Sequence, residues 1–218
     1  WKTMVGELKN NSKLRNCLAV CDLGHSMLEA ASMDIPYKAK MQNIRLFDEL
    51  PPVRGALSCL DVATALSLVL ADVADRPWAN KVAAFGDRPE IVDLTKGSST
   101  LSGRSSTLLG LHAKAKVNIP REHKWPYRPR KKFVGSHLFK LFEMLLRVPD
   151  PPSRIFIFSN MAFNAAVQEG GMDPGVMRGA DGQKLTVFQA AEEMYRKAGR
   201  VMPHVVYWNL SGCRSGAP

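Results

Sequence analysis

The sequence predicts an α/β fold, with an open, mainly parallel, Rossmann-like sheet and helices on both faces. Short and fully apolar runs such as Ile155–Phe158 are typical of strands that are buried on both faces. These runs alternate with longer segments whose apolar residues recur at helical spacing, as parallel sheets with crossover helices require. An apolar content of 45% and a charged content of 23% are ordinary for a globular chain.

The elements alternate along the chain. Strands are predicted at five apolar runs, of which the third is a short edge strand: Asn16–Cys21, Lys81–Phe85, Glu90–Leu94, Ile155–Phe158 and His204–Leu210. Helices are predicted at Lys38–Leu50, Leu57–Ala74, Leu138–Leu145 and Leu185–Ala198. The first is a short helix in a stretch of weak periodicity, and the second is apolar around most of its circumference with polar positions near helical spacing. In the other two, apolar residues fall on one helical face. Prolines follow the second and third of these helices, which supports their predicted ends.

The chain is interpreted as a single domain over residues 1–218, with insertions at about 28–55 and 97–132. It begins at Trp1 and stops in a loop-like stretch, so we expect it to be a piece of a longer protein. No run approaches the roughly 18 apolar residues of a membrane span, and the first residues do not resemble a secretory signal. We therefore expect an intracellular protein, in the cytoplasm or the nucleus, without a membrane partner.

The four cysteines, Cys17, Cys21, Cys59 and Cys213, do not have the spacing of a disulfide scaffold or of paired zinc ligands. Cys17 and Cys21 lie in an apolar run, and Cys59 begins an apolar helix. Free thiols in such places behave as small hydrophobic side chains. Buried and reduced thiols are therefore predicted.

The net charge of +10 is concentrated in one segment, because Lys96–Lys132 contains ten basic residues and one acidic residue. Basic residues interleaved with aromatic ones suit stacking on single-stranded nucleic acid and pairing with phosphates. The candidate residues for binding RNA or another polyanion are Lys114, Lys116, Arg121, Lys124, Trp125, Tyr127, Arg128, Arg130, Lys131 and Lys132. The alternative is a solvated loop without a ligand.

Four oxygen-bearing side chains are expected at the carboxyl edge of the sheet. Asp22, Ser26 and Asn160 follow predicted strands, and Ser136 precedes a predicted helix. Ligands of open α/β sheets bind outside the carboxyl ends of the strands. Because hard cations such as Mg²⁺ prefer oxygen ligands, the four residues are candidate metal ligands.

Three segments carry a resemblance to a known family: Asn16–Met27, Phe158–Phe163 and Val205–Leu210. The first resembles the opening strand of von Willebrand factor type A (vWA) domains, whose metal-ion-dependent adhesion site (MIDAS) begins with Asp-x-Ser-x-Ser. Together the three resemble the vWA half of an uncharacterised plant and viral family that is distantly similar to the Ro/TROVE proteins. The resemblance implies a vWA-like fold and a protein-binding site at the carboxyl edge.

In the family pattern the metal site uses an Asp, two Ser, a Thr and a second Asp. Asp22 and Ser26 match this pattern, but Gly24 stands in place of the first Ser, Ser136 in place of the Thr and Asn160 in place of the last Asp. Losing one negative charge beside a divalent ion costs on the order of several kcal/mol. The comparison therefore favours a site without metal over a weak Mg²⁺ or Mn²⁺ site. Without metal, Ser136 suits a helix N-cap and Asn160 a turn.

We interpret the chain as a protein-binding scaffold module with a degenerate MIDAS, and not as an enzyme. Nucleic-acid binding through the basic segment is the alternative. A third hypothesis is an α/β hydrolase with Ser26 as nucleophile, because Gly24–Met27 resembles a nucleophile elbow. However, Leu28 stands where the elbow requires a small residue.

Overall fold

The computed structural model describes residues 1–11, 14–28, 57–86, 88–97, 99–117, 134–160, 177–178 and 184–210. At residues 11, 25–26, 113–117, 134–137, 177–178 and 184 it describes the backbone alone. The helices are α1 (Lys2–Asn11), a 3₁₀ helix (His25–Leu28), α2 (Cys59–Val73), α3 (Leu101–Val117), α4 (Val134–Leu146) and α5 (Val187–Lys197). The strands are β1 (Cys17–Asp22), β2 (Lys81–Phe85), β3 (Glu90–Asp93), β4 (Arg154–Ser159), β5 (Met177–Arg178), β6 (Lys184–Leu185) and β7 (His204–Asn209).

Five of the described strands form one sheet in the order β3-β2-β1-β4-β7. Strands β2, β1, β4 and β7 are mutually parallel, and β3 is antiparallel to β2 at one edge. This arrangement confirms the predicted α/β class, the mainly parallel sheet and the short edge strand at residues 90–93. Strands β5 and β6 form a separate two-stranded ladder.

Strand β1 is buried along its whole length, which explains its apolar sequence from Cys17 to Cys21. Alternate residues face opposite sides of the sheet, so Cys17, Ala19 and Cys21 pack with α2 while Leu18 and Val20 pack with α4 and α5. Helices therefore cover both faces, as the sequence predicted. This central strand places its last residue at the middle of the carboxyl edge.

Helix α2 confirms the helix predicted at Leu57–Ala74 and begins in a capping box. The Asp61 amide donates to Ser58 Oγ (3.1 Å), and the Ser58 amide donates to Asp61 Oδ2 (3.0 Å). This reciprocal pair satisfies backbone donors that the first helical turn leaves without partners. It fixes the start of α2 at the carboxyl edge of the sheet.

The opposite face is covered by α4 and α5, and the four apolar residues that predicted α4 are all buried: Leu138, Leu141, Phe142 and Leu145. The Tyr195 hydroxyl of α5 donates to the Phe142 carbonyl of α4 (3.1 Å), so the two helices are joined by a buried hydrogen bond. Helix α5 ends at Lys197 and is capped by Ala198, and Gly199 follows with a φ of 64°, which suits glycine. The Arg200 amide then returns to the Tyr195 carbonyl, which completes a Schellman motif.

Two helices were not anticipated, α1 and α3. Helix α3 lies within the insertion predicted at about 97–132, yet its Leu108 is fully buried beside α2. Arg104 of α3 forms a buried ion pair with Asp72 of α2 (2.7 Å), and the Trp1 indole N–H donates to the same carboxylate (2.7 Å). Both helices are therefore held on α2 through Asp72. The helix predicted at Lys38–Leu50 lies outside the described residues.

Cys17, Cys21 and Cys59 are buried thiols outside any disulfide bond, as predicted, and Cys213 lies outside the described residues. Burial raises the pKa of the Cys21 thiol to about 12, so this thiol stays protonated at neutral pH. No helix in the described ranges has the length and apolar character that crossing a membrane requires.

Candidate functional site at the carboxyl edge

The order of the strands reverses between β1 and β4. From β1 the chain first adds β2 and β3 on one side, and later adds β4 and β7 on the other. Such a reversal opens a crevice at the carboxyl ends of the two central strands, where open α/β sheets bind ligands. Asp22 ends β1, and Cys21 pairs with Phe158 near the end of β4, so Asp22 and Asn160 both lie at this reversal.

Asp22 is buried and accepts two hydrogen bonds. Its Oδ1 accepts from the Gly24 amide (2.8 Å), and its Oδ2 accepts from the Ser159 hydroxyl (2.6 Å). Burial raises the pKa of the Asp22 carboxyl, whereas the two hydrogen bonds and the nearby His112 lower it. No basic side chain of the described chain forms an ion pair with Asp22. Within the described residues, Asp22 is therefore a desolvated carboxyl group that accepts two hydrogen bonds and forms no ion pair.

The loop after β1 is closed by its own backbone. The Leu23 amide donates to the Phe85 carbonyl (3.1 Å), and the Met27 amide donates to the Gly24 carbonyl (3.1 Å). At Gly24, where the MIDAS pattern has a serine, the only bond to Asp22 comes from the backbone amide. That bond occupies a carboxylate oxygen which a metal ion would otherwise use.

Asn160 lies at the predicted edge and is buried. Its amide N–H approaches Met27 Sδ at 3.2 Å, so the segment after β4 contacts the 3₁₀ helix after β1. Asn160 and Met27 thus meet at the carboxyl ends of β4 and β1.

The two predicted hydroxyl ligands are described by their backbone alone. Ser26 lies in the 3₁₀ helix and Ser136 lies in the first turn of α4. The structure describes no side chain at these two positions, so their role as metal ligands remains a prediction.

Two residues of the site were not among the sequence candidates, Ser159 and His112. Ser159 donates to Asp22, and the signal for it was its place at the polar end of an apolar strand. His112 is buried, and its Nδ1 lies 2.9 Å from the Leu23 carbonyl oxygen. No local motif marked His112, because it reaches the edge only through the packing of α3.

A family model described as a domain of unknown function (DUF7788) matches residues 146–218. The match covers about a third of the chain and includes β4, α5 and β7, and therefore Ser159 and Asn160, but not Asp22. No curated protein and no solved structure matches the chain.

The described side chains fit an all-oxygen magnesium site poorly. Among the described residues, no group of three or more His, Cys, Asp and Glu side chains is placed to hold a metal ion. Asp22 contributes the carboxylate of this edge, and both of its oxygens already accept hydrogen bonds. Since Mg²⁺ needs near-octahedral oxygen coordination, the described donors leave most of its shell to water.

Most of the predicted anion-binding residues lie outside the described residues, from Arg121 to Lys132, and Lys114 and Lys116 are described by their α3 backbone alone. Arg104 belongs to the same basic segment, but it is buried and paired with Asp72. This guanidinium stabilises the fold and is not available to a phosphate.

Proposed function

We propose that this domain is a vWA-like module that binds a protein partner through the carboxyl edge of its sheet. The strand reversal at Asp22 supports this location, since it is where sheets of this class form their crevice. The resemblance of the loop after β1 to a MIDAS points to the same place. The described donor set favours a partner interface that does not depend on Mg²⁺.

The observation that carries the proposal is a set of exposed apolar side chains at this edge. Leu28 is 42% exposed, Leu57 is 66% exposed and Trp208 is 50% exposed. Most large apolar side chains of a folded protein lie in its core. A group of exposed apolar side chains beside a crevice is therefore typical of an interaction surface.

Each of the three side chains is tied to the end of β4 or β7. Leu28 follows Met27, whose sulfur contacts the Asn160 amide. Leu57 precedes α2, where Cys59 Sγ lies 3.5 Å from the Leu210 carbonyl oxygen. The Trp208 ring lies 6.0 Å from the ring of Phe158. All three residues therefore lie at the carboxyl edge, and Trp208 is the expected anchor because tryptophan is enriched among interface hot spots.

We expect Trp208→Ser to weaken partner binding about 30-fold, as the loss of roughly 2 kcal/mol at a hot spot implies. The partner is captured from an extract of the native source, purified, and titrated against the wild type and the variant by calorimetry. Val201→Ser is the matched control, because Val201 is 88% exposed and lies before β7 at the opposite edge. A partner that binds Trp208→Ser as tightly as the wild type would contradict the proposal.

The charge of the basic segment supports nucleic-acid binding as a second candidate function. If this candidate holds, the logarithm of the affinity for single-stranded RNA falls steeply and linearly with the logarithm of the salt concentration. This dependence is measured by fluorescence anisotropy with labelled RNA, at salt concentrations from about 50 to about 200 mM. Replacing Lys131 and Lys132 by Gln should reduce the slope by about 2. An affinity that is indifferent to salt would exclude this candidate.

A further inference from the structure

The amino edge of the sheet, where its parallel strands begin, is held together by backbone hydrogen bonds. The Ser153 amide donates to the Asn16 carbonyl (3.1 Å), and the His204 amide donates to the Ser153 carbonyl (2.9 Å). Strands β1, β4 and β7 therefore begin side by side, about 4.8 Å apart from one strand to the next. This edge is the opposite end of the sheet from the proposed partner surface.

Four arginines lie at this edge, and we call them the amino-edge cluster: Arg15, Arg147, Arg154 and Arg200. Arg15 directly precedes Asn16, and Arg154 directly follows Ser153 as the first residue of β4. Arg147 is the first residue after α4, and Nη1 of Arg200 donates to the Leu146 carbonyl at the end of that helix (3.0 Å). The four arginines are thus brought to the end of α4 and the starts of β1 and β4.

Positive charge is concentrated at this edge. The three stretches that form it, 14–16, 147–154 and 196–204, contain six Arg or Lys residues and one acidic residue, Asp150. Outside Lys96–Lys132, the chain as a whole contains 20 basic and 19 acidic residues. The amino edge therefore has an excess of positive charge that the remainder of that sequence lacks, and such an excess attracts polyanions.

Most of this charge is available to a ligand. Arg15, Arg147 and Arg200 are exposed, and Arg154 is half-buried. Arg15 lies 4.0 Å from the Asp75 carboxylate, in a pair whose side chains are 77% and 54% exposed, and exposed pairs of this kind are weak. The other three guanidinium groups form no ion pair within the part of the chain that the structure describes. Arg200 uses only Nη1 for the end of α4 and retains its other donors.

The phosphates of a nucleic-acid duplex fit this surface. A guanidinium group forms paired, charge-assisted hydrogen bonds with phosphate oxygens, which makes arginine well suited to nucleic acids. A membrane surface also requires large apolar side chains that enter the lipid interface, whereas the exposed apolar residue of the three stretches is Val201 alone. Single strands are bound largely through aromatic stacking, which the amino-edge cluster does not offer. A duplex presents its phosphates outward and requires no stacking.

We propose that the amino-edge cluster binds the phosphate backbone of duplex nucleic acid without regard to its base sequence. Each phosphate contact releases counter-ions from the duplex, so the affinity should fall steeply with salt. Because the cluster lies at the opposite edge from the proposed protein partner, the domain can hold both at once. The inference goes beyond the proposed function and depends neither on that function nor on the basic segment Lys96–Lys132.

Fluorescence anisotropy of the full chain with a labelled DNA duplex of about 20 base pairs, roughly two helical turns, tests the proposal. A triple variant combines Arg15→Gln, Arg147→Gln and Arg154→Gln, and Arg200 is kept because it stabilises the end of α4. The triple variant should weaken binding by about tenfold or more. It should also reduce the slope of log affinity against log salt by about 2.7, which is about 0.9 for each lost phosphate contact.

Two control variants accompany the triple variant. Arg88→Gln replaces an exposed arginine after β2, at the carboxyl edge, and should change neither the affinity nor the slope. Replacing the three arginines of the triple variant by Lys keeps their charge and should retain the slope, which separates a loss of phosphate contacts from a loss of folding.

The proposal is overturned if the chain does not bind the duplex, if the triple variant binds it with an unchanged slope, or if Arg88→Gln weakens binding equally. A slope that falls in Lys131→Gln/Lys132→Gln but not in the triple variant would assign the duplex to the basic segment and would equally overturn it. Binding to phosphatidylserine vesicles without binding to the duplex would assign the amino edge to a membrane instead.

Discussion

Phe142→Ala is expected to lower the free energy of unfolding by about 4 kcal/mol, as truncation of a fully buried phenylalanine does in other cores. The Phe142 side chain has no exposed surface, and its ring packs edge-on against Phe188 at 5.7 Å between centroids. The substitution leaves a cavity between α4 and α5 and removes this aromatic contact. Urea denaturation followed by circular dichroism measures the loss.

Phe139→Ala is the matched control for this prediction. Phe139 lies on the same helix but is only partly buried, so the same change in residue type should cost markedly less. Equal losses in the two variants would contradict the packing of α4 on the β1 face that contains Leu18 and Val20.

Arg104→Met is expected to cost about 3 kcal/mol, because it leaves the largely covered carboxylate of Asp72 without its cation. The side chains of this pair are only 11% and 15% exposed, and the distance between Nη2 and Oδ1 is 2.7 Å. Asp72 would keep the hydrogen bond from the Trp1 indole, but a single neutral donor does not replace a guanidinium. The loss is measured by denaturant unfolding.

Arg15→Met provides the control for the ion pair. Arg15 pairs with Asp75 at 4.0 Å, and both side chains are largely exposed, so this pair should contribute less than about 1 kcal/mol. If Arg104→Met were no more harmful than Arg15→Met, α3 would not be fixed on α2 as described.

The five strands of the sheet and the helices α2, α4 and α5 could be predicted from the sequence because each carries its burial pattern locally. Strand β1 is covered by helices on both faces and is apolar from Cys17 to Cys21. Helix α4 has its apolar residues repeated along one face. Helix α3 has no such pattern, since Gly103, Gly110 and several basic residues interrupt it. Its position depends on Leu108 and Arg104, whose partners are distant in sequence, so local periodicity did not reveal it.

The candidate site was predictable to a similar extent. The sequence placed Asp22 and Asn160 together because carboxyl ends of adjacent parallel strands meet at one edge. It did not predict that Ser159 donates to Asp22, since strand register decides which neighbouring hydroxyl reaches the carboxylate. His112 was missed for the same reason as α3, because only the tertiary packing of that helix brings the imidazole to Leu23.

The central claim is that the partner binds at the carboxyl edge, and site-specific photocrosslinking tests it most directly. A photoreactive phenylalanine derivative is placed at Leu57 on this edge or at Val201 near the opposite edge, both of which are highly exposed. We expect a crosslinked partner from position 57 and none from position 201. Crosslinking of the same partner from position 201 alone would contradict the account.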